Sequence, residues 1–125
     1  MTEKQLHLAI CEYIKWQYPS IIFTSEPSGV RVTPGIAREL ARMRSGKGLP
    51  DLWILEPNKE YKALTIELKA VSPYRKDGTL KKSEHLESQS QVLALLREKG
   101  YYAEFCTGFD ETVETINKYM NNRIT

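Results

Sequence analysis

Histidine and cysteine, the side chains from which most zinc sites are built, occur only twice each in these 125 residues. Cys11 and Cys106 lie far apart, neither belongs to a C-x-x-C pair, and no histidine cluster adjoins them. This argues against a zinc knuckle and a disulfide framework and leaves two reduced core thiols. Long apolar runs are missing as well. Nothing approaches the roughly 18 residues of a membrane span, and Met1-Thr2-Glu3-Lys4 lacks the apolar stretch of a signal peptide, so a soluble, intracellular chain without a membrane partner is expected. Charge of one sign is lacking too: 18 basic against 16 acidic residues leave a net +2, so any affinity for a polyanion must come from local clustering. With 41% hydrophobic and 27% charged residues and no repeat, low-complexity tract or linker, residues 1–125 are read as a single domain.

What is present is a regular alternation of helical and strand-like segments. Leu6, Ala9, Ile10, Tyr13, Ile14 and Tyr18 recur at helical spacing over Gln5–Tyr18, with Thr2 or Glu3 at the start and Pro19 as the stop. Ser20–Ser25 holds the β-branched and aromatic run Ile21-Ile22-Phe23-Thr24 and closes on Pro27-Ser28-Gly29. Pro34 opens a second helix through Ala37, Leu40, Ala41 and Met43, carrying Arg38, Arg42 and Arg44 and ending near Ser45-Gly46-Lys47-Gly48. Asp51–Leu55 and Ala63–Ala70 read as a hairpin around Pro57-Asn58-Lys59-Glu60. A polar, lysine-rich loop over Ser72–Ser83 leads to a helix over Leu86–Lys99, which Gly100 can end in the left-handed region. A strand over Tyr101–Thr107 and a helix from Asp110 to Tyr119, capped by Asp110, finish the chain. The order α-β-α-β-β-α-β-α predicts an α/β fold, helices flanking a small mixed sheet.

The chemically informative segments are Gly48-Leu49-Pro50-Asp51-Leu52 and Ile66-Glu67-Leu68-Lys69-Ala70. Strand alternation puts Thr65, Glu67 and Lys69 on one face and turns Ile66 and Leu68 to the core. If the hairpin is centred on Lys59, Asp51 lies opposite Glu67 and the two carboxylates converge. Two hard oxygen donors, with water and the carbonyl of Leu68, suit Mg²⁺ or Mn²⁺ better than zinc. A metal held there serves phosphodiester hydrolysis, with Lys69 as a point charge beside the oxyanion. An edge strand with a solvent-facing Glu-Lys pair explains the spacing equally well.

The run Gly48-x-Pro50-Asp51-Leu52, then Ile66-Glu67-Leu68-Lys69, then Gln89 followed by Leu96 and Gly100-Tyr101, resembles the VRR-NUC branch of the PD-(D/E)XK nucleases over nearly the whole chain. The resemblance implies a restriction-endonuclease-like α-β-β-β-α-β core and an Mg²⁺- or Mn²⁺-dependent nuclease of the small stand-alone type found in bacteriophages and bacteria, hence cytoplasmic. Residue by residue, it implies metal binding by Asp51 and Glu67, a catalytic Lys69, and a Gln89 that orients water or phosphate. Without it, Gln89 could be an ordinary helix residue, although its stripe with Leu93 and Leu96 points toward the sheet. The family's acid on the first helix falls on Glu3 or Glu12, with Glu3 preferred for its Glu-x-Gln pattern; dipole and capping effects account for a glutamate there equally well. Glu26, in a segment resembling the loop before the family's second helix, is a further accessory acid or part of a plain turn.

Basic residues bracket Asp51 and Glu67: Arg31, Arg38, Arg42, Arg44 and Lys47 before, Arg75, Lys76, Lys81, Lys82 and His85 after. Only Glu39, Asp77 and Glu84 oppose them, so a locally positive surface for phosphates is expected, against the plainer reading of a solvated arginine face. Tyr74 could stack on an unpaired base. No sequence-reading motif is present, so recognition should follow shape and backbone. The resemblance implies branched DNA such as a Holliday junction, cut by a homodimer. Two rival readings keep the same fold: a catalytically inert DNA-binding or partner-recruiting module, and an RNA nuclease.

Overall fold

The computed structural model describes residues 1–26, 32–45 and 48–124, in the order α1 (Glu3–Gln17), β1 (Phe23–Ser25), α2 (Pro34–Arg42), β2 (Leu52–Ile54), β3 (Leu64–Lys69), α3 (Glu84–Glu98), β4 (Tyr102–Thr107) and α4 (Gly108–Asn121). The predicted element order holds throughout. The strands form one sheet, β1-β2-β3-β4, antiparallel except for the parallel β3–β4 pair that α3 connects. This is the mixed α/β arrangement the sequence pattern predicts.

Helix α1 starts where Thr2 and Gln5 satisfy each other's backbone N–H groups, the Thr2 hydroxyl accepting from Gln5 at 3.1 Å and the Gln5 side chain from Thr2 at 2.8 Å. Its buried stripe of Leu6, Ile10 and Ile14 packs with Ile116, Tyr119 and Met120 of α4. Together they cover the sheet face carrying Leu52, Ile54, Leu64, Ile66, Leu68 and Cys106. The opposite face carries a smaller core, Leu93 of α3 with Ala103 and Phe105. Strand β3 is therefore covered on both sides, and its first five residues are buried.

A Schellman motif ends α3: Gly100, at φ 96°, donates to Arg97 O, and Tyr101 donates to Leu96 O. The last helix differs from expectation. It starts at Gly108 instead of Asp110, because Gly108 at φ 76° turns β4 directly into α4, and the Glu111 carboxylate, not Asp110, accepts the Thr107 N–H. Asp110 sits inside the first turn, where its negative charge complements the positive end of the helix dipole. Helix α2 buries no side chain and ends at Arg42, so Arg44, expected on this helix, lies just past its end.

Two local structures position the site. Asn58 pins the β2–β3 connection, its Oδ1 accepting from the N–H groups of Glu60 and Tyr61 at 2.9 and 2.7 Å and its Nδ2 donating to Tyr119 O. The resulting register, Leu52 opposite Ile66 and Ile54 opposite Leu64, is centred on Lys59 as predicted. The lysine-rich loop is a tight hairpin. Arg75 N–H donates to Thr79 O at 2.7 Å, Lys81 N–H to Pro73 O at 2.8 Å, and the Asp77 carboxylate holds the turn through both polar groups of Thr79.

Candidate active site

The register continues from Leu52 and Ile66 to Asp51 and Glu67, which bring their carboxyl groups into contact at the end of the sheet from which β3 exits. Both are buried, with 2% and 5% of their surface exposed. Asp51 Oδ2 accepts the Leu68 N–H at 2.9 Å. Glu67 Oε1 accepts from Gln89 Nε2 at 2.9 Å, so the stripe on α3 does bring Gln89 onto the sheet. The same bond leaves Gln89 Oε1 buried without a hydrogen-bond partner. An orphaned acceptor of this kind is uncommon in a folded interior. Gln91, two residues on, is exposed.

Burial pushes the Glu67 carboxyl up to about 9, the hydrogen bond and negative charge of Asp51 add to the rise, Lys69 pulls it back, and Glu3 contributes a little more. The pair therefore holds a proton at neutral pH, the usual outcome when two carboxyl groups share a dry site. Lys69 follows at the end of β3, its Nζ 5.9 Å from the centre of the Phe105 ring. Tyr74, at the base of the basic hairpin, meets the same ring edge-on at 6.0 Å. The catalytic candidate and the hairpin thus share one aromatic support on β4.

An open cleft of about 340 Å³ gathers these groups: Asp51, Glu67, Lys69 and Gln89 line it, with Glu3 and Glu26 at its acidic margin. Glu26 is engaged by Arg44 at 2.7 Å, so one accessory acid and one basic candidate are paired at the cleft mouth. Glu12 is exposed on α1 and does not line the cleft. Leu68 contributes its N–H to Asp51, with its side chain turned into the core. Arg38 and Arg42 are exposed on α2, and Arg75, Lys76, Lys81 and Lys82 are exposed on the hairpin; Lys47 and Arg31 lie outside the described residues. His85 and Ser88, from the first turns of α3, also reach the cleft.

One neighbour escaped the sequence reading. His7, one turn after Glu3 on α1, places Nε2 3.7 Å from Asp51 Oδ2 and Nδ1 3.0 Å from Ser25 Oγ. The i, i+4 spacing from Glu3 was the available signal, but the approach to Asp51 depends on how α1 packs against the sheet.

The strand order, with four helices around a small mixed sheet, is an α/β fold consistent with the restriction-endonuclease-like one. A solved structure described as a VRR_NUC domain protein shares it, superposing with a TM-score of 0.67 over 98% of this chain and 91% of its own, at 22% sequence identity. No protein-family model and no curated protein matches the sequence.

Proposed function

We propose that the protein is a divalent-metal-dependent endonuclease that hydrolyses DNA phosphodiester bonds, selects branched DNA and works as a homodimer. One observation carries the reading: two buried carboxyl groups, a lysine and a glutamine with an orphaned acceptor meet in one cleft on a nuclease-like fold.

The donor set fits Mg²⁺ or Mn²⁺. Asp51 and Glu67 offer hard oxygens, and two buried carboxyls with a shared proton exchange that proton readily for a cation. Among the described residues no group of three or more His, Cys, Asp or Glu side chains is arranged to hold an ion, so backbone, water or phosphate oxygens complete the shell, Leu68 O being the backbone candidate. When bound, the ion supplies Lewis-acid polarisation of the phosphoryl oxygen and a water of lowered pKa.

The chain's own groups do the rest. Lys69 places a fixed positive charge where the phosphate oxygens gain negative charge, and the Phe105 ring restrains its swing. Gln89 can orient the attacking water by accepting a hydrogen bond from it at its unpartnered Oε1, while its Nε2 holds Glu67 in place. Glu3 and Glu26 border the same cleft as accessory acids. Arg38, Arg42, Arg44 and the hairpin cations meet the DNA backbone without reading bases.

The test is cleavage of four-way, flap and linear DNA, beside matched RNA, by wild type and Lys69→Ala with and without Mg²⁺. Metal-dependent cutting that Lys69→Ala loses, strongest on four-way DNA, is the expected result. Equal cutting by both proteins, or binding with no cutting by either, would refute the enzyme; preference for RNA would replace the substrate.

A further inference from the structure

Groups of different kinds approach Asp51 Oδ2 from the sheet and from α1. The Leu68 N–H holds it at 2.9 Å from within the sheet, and His7 Nε2 stands 3.7 Å away on α1. The His7 side chain is 11% exposed, and its other ring nitrogen meets Ser25 Oγ at 3.0 Å. The Cys11 thiol, one further turn along α1, also lies beside Ser25. An imidazole between a hydroxyl and a carboxylate has little freedom. A carboxylate only accepts, so the ring attracts Asp51 with a hydrogen on Nε2; in the neutral ring Nδ1 then carries a lone pair and takes the hydrogen of Ser25 Oγ.

We propose that His7 is a positioning residue for Asp51: oriented by Ser25, its Nε2–H steers the Asp51 carboxylate and sets its readiness to bind a metal. The inference rests on the reading of Asp51 as a metal ligand. His7 does not join the ligand shell. It acts from behind, by electrostatic attraction at 3.7 Å, in the place of the outer groups that orient metal ligands and whose removal lowers metal affinity by roughly 10- to 100-fold. Because β1 supplies Ser25, β2 follows Asp51 and α1 supplies His7, the arrangement also ties three elements together at the cleft.

The experiment is calorimetric Mn²⁺ titration of wild type, His7→Ala, His7→Gln and Ser25→Ala, beside melting curves and the ¹⁵N shifts of the His7 ring. Wild type is expected to bind, His7→Ala to bind about 10- to 100-fold more weakly, and His7→Gln, whose amide can donate from a similar position, to recover most of the difference. Ser25→Ala should fall between them. The ring should show the Nε2–H tautomer in wild type, a readout that needs no metal. If wild type binds and folded His7→Ala binds as tightly, the inference falls and the metal reading stands. If Gln fails to rescue while melting as wild type does, steering by donation is refuted. An Nδ1–H tautomer overturns the inference regardless of metal, whereas wild type that takes up no Mn²⁺ overturns the reading of the cleft and the metal role of His7 with it.

Discussion

The two ends of the sheet handle buried polarity in opposite ways. Where β3 begins, Asn58 has partners for both ends of its amide, and the rings of Tyr61, Tyr102 and Tyr119 pack with centroids 5.4 to 6.4 Å apart. Tyr119 donates to Glu56 O, and burial pushes the hydroxyls of Tyr102 and Tyr119 up to about 12, so these groups stay neutral. Where β3 ends, two carboxyls crowd together, a glutamine oxygen lacks a partner, and a lysine faces the cleft. One end is built for stability. The other tolerates groups that a stable core would remove, as the proposed active site requires.

Exchange of groups at the two ends should therefore produce different losses. Lys69→Ala is expected to lower the cleavage rate by about 10²- to 10³-fold, the range for loss of one group that stabilises the transition state, while its melting temperature stays within a few degrees of wild type. Initial-rate assays and melting curves check both. Asn58→Ala should do the reverse. Without the Asn58 carbonyl, two N–H groups lose their acceptor, at about 1–3 kcal/mol of stability by urea denaturation, and cleavage per folded molecule should stay near wild type. A variant that lost both properties at either end would erase the contrast.

Proton linkage sharpens the same comparison. In the metal-free protein the Glu67 carboxyl sits at about 9 against an ordinary 4.5. Between those values the folded chain keeps the proton and the unfolded chain has released it. Metal-free stability should therefore fall as pH rises across that window and level off on either side. Melting curves in a chelator at about pH 5, 7 and 9 test this, with Glu67→Gln as the variant in which the slope should shrink. The tyrosine end titrates above the window and should contribute little. A flat profile would show that the two carboxyls do not share a dry site.

How much of the fold and the site is legible in the sequence follows from the range of the forces involved. Period-two alternation and turn residues act locally, so the Lys59-centred register and the Asp51–Glu67 pairing can be read from β2 and β3 alone. Gln89 is legible through its stripe with Leu93. The His7–Asp51 approach is not, because it arises only when α1 packs against the sheet. The start of α4 is misplaced for a smaller reason: Asp110 is a good capping residue, but Gly108 alone can take the positive φ that makes an earlier start possible. Helix α2 shows the converse: Ala37, Leu40 and Ala41 recur at helical spacing and none is buried, since periodicity indicates a helix and not what covers it.

The smallest effect concerns charge around the cleft. At the tyrosine end Lys118 is paired with Glu114 at 3.1 Å, whereas Arg75, Lys76, Lys81 and Lys82 make no ion pair among the described residues. Pairing neutralises a cation before DNA arrives; unpaired cations on a rigid hairpin release counterions when phosphates reach them. Lys81→Ala combined with Lys82→Ala should weaken DNA binding several-fold at moderate salt and flatten the dependence of log affinity on log salt by about one unit for each phosphate left without its cation. The weakening should be similar for all sequences, because backbone contacts carry no base information. Lys118→Ala is the comparison, and its salt slope should match wild type in a fluorescence-anisotropy titration. Equal slopes for all three proteins would remove Lys81 and Lys82 from the DNA path and leave Arg75, Lys76, the α2 arginines and Arg44 as the remaining basic candidates among the described residues.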